Sequence, residues 1–202
     1  MVKFHISPSI LQGSIVIPSS KSQTLRAIFF ALMGKGTSQI HKYLSSPDTY
    51  AILRAVEMLG VKIRQTNTTL WIEGTNGKLQ SPKNVIDVGN SGLVLRLIGA
   101  LASLLPTYTV ITGDNSICSL RPIQPLLSAL QLLQADARSM YLNGFAPICI
   151  KGPLRPGSTK LCGRDSQPVS ALLMTACFLE GQSHIQVTNP GEKPWVDLTL
   201  HW

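Results

Sequence analysis

Apolar and polar positions along the chain alternate with two periods, and these divide it into short strands and amphipathic helices. Residues 48–59 illustrate the helical period, because apolar side chains recur there at i, i+3, i+4 and i+7 and Gly60 closes the segment. The first six predicted elements form a unit of the order β-α-β-α-β-β. They are a strand over 14–18, a helix over 22–33, a strand over 37–41, a helix over 48–59 and strands over 61–65 and 69–74.

This order recurs with a period of about 70 residues, so the chain is predicted to contain three copies of one unit. The second copy occupies residues 85–152, and the third begins at residue 158. The third copy reaches residues 193–202 and stops before its remaining helix and strand pair, which predicts an incomplete unit. We therefore expect an α/β (α+β) fold in which helices pack together, with strands outside or between them.

Composition and charge limit the classes of ligand. With 44% hydrophobic residues among 202, the chain can bury the core of one domain, or of one domain and part of another. The net charge of +8 suits a polyanionic ligand, a nucleic acid or an acidic membrane surface. Because the basic residues form no run and aromatic residues make up only 6%, the sequence disfavours a nucleic-acid partner.

The sequence predicts neither a metal site nor a membrane span. The four cysteines have no CxxC spacing and do not accompany clustered histidines, so free thiols are expected. The longest apolar stretch, residues 93–105, is interrupted by Arg96 and is shorter than the roughly 20 residues of a membrane span. The first residues resemble neither a secretory signal nor a transit segment. We expect a cytoplasmic protein.

In each predicted unit, a short polar or glycine-bearing turn connects the first strand to the first helix. These turns are residues 19–22 (SSKS), 89–92 (GNSG) and 163–167 (GRDSQ). The first backbone N–H groups of a helix lack intrahelical acceptors and the helix dipole adds partial positive charge, so such ends bind anions. If pseudo-symmetry relates the units, the three turns converge, which predicts one composite anion-binding site.

Three side chains in the first connecting turn and the helix after it suit a phosphorylated ligand. Ser22 is expected to cap the helix and to offer its hydroxyl and N–H to a phosphate. Arg26, one turn later on the same side, is able to grip a phosphate or carboxylate bidentately, and Lys21 supplies a mobile point charge. The alternative is an ordinary capped helix with solvated basic residues.

The second and third units contribute further candidates. Gly92 either leaves the backbone open to a ligand or only permits a tight turn. Arg96, in an otherwise apolar helix, is expected to form a buried structural pair and not to contact a ligand. Arg121 is held by the proline that follows it at a helix start, or is a solvated charge. Ser166 and Gln167 offer neutral donors, although Ser166 is also a possible N-cap.

Five segments of the chain resemble the EPSP synthase family of enolpyruvyl transferases, in that family's order and at about its spacing. They are "PSSKSQTLRA", "GNSGLVLRL", "TGDNSICSLRPIQPLLSAL", "SQPVSALLM" and "KPWVDLTL". The resemblance covers essentially the whole chain. It implies an enolpyruvyl-transferase inverse α/β barrel of two domains, each built from three βαβαββ units, in a protein about twice this length. Residues 1–18 would then be the opening strand segment of the lower domain, and 19–202 the nearly complete upper domain, with the rest of the lower domain absent.

The same resemblance implies a function. The family transfers the enolpyruvyl group of phosphoenolpyruvate to the 5-hydroxyl of shikimate 3-phosphate in the shikimate pathway, releasing phosphate, without metal or cofactor. It also implies a monomer in the cytoplasm. Lys21 would be catalytic and contact both substrates. The implied shikimate 3-phosphate-binding residues are Lys21, Ser22, Arg26, Ser166 and Gln167, and the implied phosphoenolpyruvate-binding residues are Lys21, Gly92, Arg121 and Gln167.

Some residues depart from the family pattern. They are Leu25 for asparagine, Leu93 for threonine, Leu97 for proline, Asp165 and Glu192 for serine, and Trp195 for tyrosine. Because a carboxylate beside a phosphate repels it, we expect either a local shift of alignment or that Asp165 and Glu192 turn away, and we leave both out of the predicted site. The family's proton-transfer residues belong to the lower domain. The isolated chain is therefore expected to show negligible turnover and at most weak binding of shikimate 3-phosphate.

Two other functions stay open. The sister enzyme that acts on a UDP-sugar usually has Lys-Asn where this chain has Lys21 and Ser22. It also has a cysteine five residues before its Arg-Pro, whereas Cys118 lies three before Arg121. The second alternative is a non-catalytic, phosphometabolite-binding half of a split or truncated protein.

Overall fold

A computed structural model describes residues 2–202, which form seven helices and nine strands. In order they are α1 (Lys21–Met33), β1 (Thr37–His41), α2 (Pro47–Met58), β2 (Lys62–Gln65), β3 (Thr69–Glu73), β4 (Ile86–Asp87), α3 (Gly92–Ala102), β5 (Thr109–Thr112), α4 (Asn115–Ser119), α5 (Gln124–Leu132), β6 (Asp136–Ser139), β7 (Ile148–Lys151), β8 (Ser158–Cys162), α6 (Ser166–Ala176), β9 (His184–Thr188) and α7 (Lys193–His201). Every helix and strand predicted from residue 22 onward is present. The short helix α4 was not predicted.

The strands form one small sheet for each predicted unit. In the first unit β1 and β2 both pair antiparallel with β3. In the second, the strand order is β4-β5-β7-β6, with β4 and β5 parallel and the other neighbours antiparallel. In the third, β8 and β9 are parallel. The repeat detected in the sequence is therefore reflected in the sheet topology.

The helices form the centre of the molecule. Helix α3 is buried on nearly all sides and packs against α6, while α1 packs against α2 and α6 against α7. An all-round apolar helix needs such a central position, because each of its faces must be covered. Leu25 and Leu97, two of the departures from the family pattern, lie in this core. The strand β1, by contrast, alternates between exposed and half-buried positions at the outside.

The predicted first strand is wrong. Residues 2–20 form neither helix nor strand, and apolar side chains such as Phe4 and Val16 are 85% and 97% exposed. A strand needs a neighbour for its backbone N–H and C=O groups, and no strand of residues 21–202 pairs with this segment. Its apolar pattern is typical of a strand, but the pattern alone does not supply a partner. That residues 1–18 belong to a lower domain stays a prediction.

Neither a membrane-spanning helix nor a metal-binding group of side chains is found in the part of the chain that the structure describes. None of the helices within residues 2–202 has both the length and the hydrophobicity that a bilayer-spanning helix needs. No three His, Cys, Asp or Glu side chains in the same range are grouped so that they could hold a metal ion.

Candidate functional site

The N-terminal ends of α1, α3 and α6 meet at one cleft of about 420 Å³. Its lining residues are Lys21, Ser22, Arg26, Asp48, Asn90, Gly92, Leu93, Arg121, Ser166, Gln167, Glu192 and Trp195. The structure thus brings together all seven predicted site residues, of which Arg121 comes from the segment between α4 and α5 and the others from the starts of α1, α3 and α6. That these residues bind substrates stays a prediction. The volume lies within the range of small-molecule sites.

The start of α1 is capped by a different residue from the one predicted. Ser20, and not Ser22, is the N-cap, because its hydroxyl oxygen accepts from the backbone N–H of Gln23 at 3.3 Å. The predicted cap was therefore placed two residues too late. Ser22 lies inside the first turn and lines the cleft, and its carbonyl accepts from Nη1 of Arg26 at 3.1 Å.

Asp48 links the starts of α1 and α3, and sequence reasoning missed it. Its Oδ1 accepts from the hydroxyl of Ser91, the N-cap of α3, at 2.5 Å. The same oxygen lies 3.6 Å from Nζ of Lys21. An acidic residue in the first turn of a helix, as Asp48 is in α2, is an ordinary signal of a helix start. Only the packing of α2 beside α1 and α3 turns that signal into a site residue.

Arg26 is a buried cation held by uncharged oxygens. It is 3% exposed, and its Nε and Nη2 donate to Oγ1 of Thr199 at 2.9 and 2.7 Å. Nη2 also donates to Oγ of Ser170 and to the carbonyl of Trp195, at 3.2 and 3.1 Å. Burial lowers the pKa of this guanidinium. No carboxylate of residues 2–202 pairs with Arg26, so an anion in the cleft would supply the missing countercharge.

Arg96 forms the buried pair predicted for it. It is 2% exposed, and its Nη2 lies 3.1 Å from Oδ2 of Asp165. Its Nη1 and Nη2 also donate to the carbonyls of Gly92 and Pro122, at 2.8 and 2.6 Å. The pKa of Arg96 is lowered, chiefly by burial and further by the nearby Arg121 charge, with Asp165 opposing both. The predicted pair is therefore confirmed, and Arg96 is not among the lining residues; that it contacts no ligand stays a prediction.

Gly92 gives the start of α3 its close approach to three side chains. A Cβ at this position would lie 2.8 Å from Nη1 of Arg96, 3.5 Å from Oε1 of Gln167 and 3.7 Å from Cδ of Arg121. The first of these distances is a clash, so the absence of a side chain is needed for the Arg96 contact as well as for an open cleft. Oε1 of Gln167 is buried and accepts no hydrogen bond from any residue in 2–202.

The α6 end carries both of the acidic departures. Asp165 is its N-cap, with Oδ1 accepting from the N–H of Gln167 at 2.9 Å and the other oxygen turned toward Arg96. The alternative of Ser166 as N-cap is therefore wrong. Asp165 turns away from the cleft as expected, but Glu192 does not. Its Oε2 accepts from the N–H and the hydroxyl of Ser166 at 3.2 and 2.7 Å.

The remaining charges of the cleft are accessible. The Lys21 side chain is 51% exposed, and Arg121 is exposed and forms no ion pair within residues 2–202. Three cationic side chains line the cleft, and the two acidic ones, Asp48 and Glu192, accept hydrogen bonds from serines. With three helix starts added, the cleft is suited to anions that carry more than one charged group.

Comparisons with known proteins agree on one family. The family model of EPSP synthase (3-phosphoshikimate 1-carboxyvinyltransferase) matches residues 6–202. The 3-phosphoshikimate 1-carboxyvinyltransferase of Chlamydia felis (strain Fe/C-56) is 41% identical over 202 residues, which are 100% of this chain and 45% of the relative. That of Chlamydia trachomatis serovar D is 44% identical over 197 residues, 98% of this chain and 44% of the relative.

Solved structures give the same answer for the fold. The EPSP synthase of Acinetobacter baumannii, in a structure at 2.37 Å, superposes with a TM-score of 0.81 at 28% identity, covering 92% of this chain and 42% of that one. A second structure of the Acinetobacter baumannii enzyme gives a TM-score of 0.82. This similarity confirms the predicted fold class, the inverse α/β barrel. The chain spans less than half the length of the curated relatives that it matches.

Proposed function

The chain belongs to the EPSP synthase family, and from this premise we propose that it supplies the substrate-binding cleft of a 3-phosphoshikimate 1-carboxyvinyltransferase. The reaction transfers the enolpyruvyl group of phosphoenolpyruvate to the 5-hydroxyl of shikimate 3-phosphate and releases inorganic phosphate. We also propose a monomer in the cytoplasm, as the resemblance implies.

The observation that carries the proposal is the convergence of three helix starts and three cations on one cleft. Each of the two substrates carries a phosphate and a carboxylate, so bringing them together opposes like charges. Helix ends and fixed cations offset that repulsion without reorganising during the reaction. A cleft for one neutral metabolite would not need this excess of donors.

The residues fall into two overlapping sets. Shikimate 3-phosphate would be held by Lys21, Ser22, Arg26, Ser166 and Gln167, and phosphoenolpyruvate by Lys21, Gly92, Arg121 and Gln167. The buried charge of Arg26, which has no carboxylate partner, supports a bound anion, and the unpaired acceptor Oε1 of Gln167 supports a ligand hydroxyl, which shikimate 3-phosphate carries. Lys21, common to both sets, would lie between the substrates and stabilise charge at the reacting centre.

In our proposal this chain binds the substrates but does not supply the groups that transfer protons. The acidic side chains of the cleft are engaged, Asp48 by Ser91 and Lys21, and Glu192 by Ser166. We therefore assign general acid and base work to groups outside residues 2–202 and expect negligible turnover by this chain alone.

Isothermal titration of the chain with shikimate 3-phosphate, shikimate and a UDP-sugar tests the binding part. We expect saturable binding of shikimate 3-phosphate, weaker binding of unphosphorylated shikimate and none of the UDP-sugar. Preferential binding of the UDP-sugar would favour the sister activity, and no binding of shikimate 3-phosphate would contradict the proposal.

A coupled phosphate-release assay tests the catalytic part. The chain is assayed alone and after addition of the segment of a chlamydial relative that lies outside the matched region. We expect release only from the mixture. Normal turnover by the chain alone would contradict the assignment of proton transfer to groups outside it, and binding without turnover in a stable mixture would favour the non-catalytic alternative.

A further inference from the structure

We propose that Glu192 is an internal anion occupying the phosphate position at the start of α6, so that a phosphorylated ligand binds there only by displacing it. This inference deepens the proposed function and rests on it for the identity of the ligand. It makes Glu192 a residue that determines how strongly the cleft prefers phosphorylated over unphosphorylated ligands.

The geometry of the contact is that of a bound anion. Ser166 is 3% exposed, and its backbone N–H and hydroxyl both donate to one oxygen, Oε2 of Glu192, at 3.2 and 2.7 Å. Both donors lie in the first turn of α6, where the N–H groups have no intrahelical acceptor and the helix dipole favours negative charge. A phosphate oxygen at this end would use the same two donors.

The Glu192 carboxylate does not cap the helix that it precedes. Glu192 is the N-cap residue of α7, yet its side chain makes no capping hydrogen bond to that helix. It reaches instead to α6, the neighbouring helix. An unused capping position argues that the side chain is not required to start α7, and that it is available to move.

The backbone, in contrast, is fixed beside α6 without the help of this side chain. The N–H of Gly191 donates to the carbonyl of Gly163 at 3.0 Å, and a Cβ at Gly191 would lie 2.7 Å from the carbonyl oxygen of Arg164. The segment that carries Glu192 is therefore held against the turn before α6. Displacement of the carboxylate then needs only a side-chain rotation.

The charge of Glu192 is not neutralised by a neighbour. Among the ion pairs of residues 2–202, none includes Glu192, whereas Asp165 at the same helix end is paired with Arg96. A ligand phosphate entering this end of the cleft would meet a carboxylate that has no ion-pair partner and already holds the two donors. A ligand hydroxyl would meet a hydrogen-bond acceptor. Glu192 therefore reduces the advantage of the phosphorylated ligand.

The experiment compares the chain with Glu192→Gln, which keeps the size but removes the charge, and Glu192→Ser, which clears the position. Glu180→Gln is the matched control, because Glu180 is exposed beyond the other end of α6 and does not line the cleft. Circular dichroism and the melting temperature check that each variant is folded. The probes are inorganic phosphate, shikimate 3-phosphate and shikimate, titrated calorimetrically in a phosphate-free buffer.

We expect Glu192→Gln and Glu192→Ser to bind inorganic phosphate and shikimate 3-phosphate about tenfold to a hundredfold more tightly than the unaltered chain, the range set by one charge-assisted hydrogen-bond pair. Affinity for shikimate should stay equal or fall, and Glu180→Gln should change neither. Glu192→Asp, which keeps the charge but shortens the reach to Ser166, should lie in between.

Unchanged or weaker binding of both phosphorylated probes by folded Glu192→Gln and Glu192→Ser would overturn the inference. If the unaltered chain binds shikimate 3-phosphate and the variants bind it no better, the proposed function stands and the inference fails. If the variants gain inorganic phosphate but no version binds shikimate 3-phosphate, the inference stands and the proposed substrate is wrong.

Discussion

Nη2 of Arg96 lies 3.1 Å from Oδ2 of Asp165, and this ion pair joins the second turn of α3 to the N-cap of α6. Two of the three converging helix starts are thus tied together by side chains outside the cleft lining. The Asp165 side chain is 42% exposed while that of Arg96 is 3% exposed, so the pair loses solvation mainly on the cationic side.

Asp165→Asn should destabilise the chain by about 1–2 kcal/mol, because it leaves the buried Arg96 charge without a counterion while keeping an oxygen for the cap. Asp165→Ala should cost about 1 kcal/mol more, because it also removes the cap to Gln167. Urea unfolding followed by circular dichroism measures both. Equal stability of Asp165→Asn and the unaltered chain would contradict the prediction that the charge of Asp165 stabilises the fold.

Gly92→Ala and Gly99→Ala should have opposite effects although both substitutions are in α3. At Gly92 the added Cβ would lie 2.8 Å from Nη1 of Arg96, whereas at Gly99 the nearest atoms, methyl groups of Ile150 and Ile148, are 3.5 and 3.6 Å away. We expect Gly92→Ala to lose about 1 kcal/mol through displacement of the guanidinium, and Gly99→Ala to gain up to about 1 kcal/mol from helix propensity.

Thermal melts of the two alanine variants provide the comparison, and phosphoenolpyruvate binding gives a second measurement. Gly92→Ala should weaken that binding because Gln167 and Arg121 are also near the new Cβ, and Gly99→Ala should not. A Gly92→Ala variant as stable as Gly99→Ala would show that Arg96 moves at no cost.

Helical spacing and turn chemistry in the sequence predicted most of the fold. The amphipathic pattern placed α2 within a residue at its start, and polar turns marked the starts of α1, α3 and α6. The prediction of a strand over residues 14–18 was wrong because an apolar run is typical of a strand, whereas strand formation depends on a partner outside the run. The prediction of Ser22 as the N-cap was wrong because the preceding serines, Ser19 and Ser20, offer the same hydroxyl chemistry.

The site could be predicted where each turn carried its own chemistry, and not where the chemistry depends on packing between units. Arg26 and Arg121 were identified from their own turns. Asp48 reaches the cleft only because α2 packs beside α1 and α3, and Glu192 only because the segment before α7 packs against the turn before α6. Neither contact follows from local spacing, so the sequence predicted the cations of the site, did not identify Asp48 and left Glu192 out.

Arg121→Gln should weaken binding of phosphoenolpyruvate by about tenfold and leave the melting temperature unchanged. The side chain is exposed and lines the cleft, and it forms no ion pair within residues 2–202, so its loss should not disturb the fold. Arg155→Gln is the control, since Arg155 is also exposed but lies outside the cleft. Equal affinities of the two variants would remove Arg121 from the site.

The Asp136 cluster should make stability depend on acid pH. Hydrogen bonds from Arg138 and Tyr108, at 2.5 and 2.6 Å, hold the pKa of Asp136 below its usual value. A lowered carboxyl pKa contributes stability above the unfolded pKa of about 3.9 and loses it as pH falls through the folded value. The difference in melting temperature between the unaltered chain and Asp136→Asn should therefore shrink from pH 6 toward about pH 2. A constant difference would contradict this linkage.

Arg26→Lys and Thr199→Val should separate ligand binding from structural support at the buried cation. Lysine keeps the charge but loses the fork that reaches Thr199, Ser170 and the Trp195 carbonyl, so we expect shikimate 3-phosphate affinity to fall about tenfold or more. Thr199 lies outside the cleft, and its valine variant should cost about 1–3 kcal/mol of stability, because Arg26 loses the acceptor of two N–H bonds, with affinity changed less than about threefold. Calorimetric titration and urea unfolding of both variants give the two readouts. If Thr199→Val loses as much affinity as Arg26→Lys while remaining folded, then Arg26 supports the packing of α7 and does not bind the phosphorylated ligand.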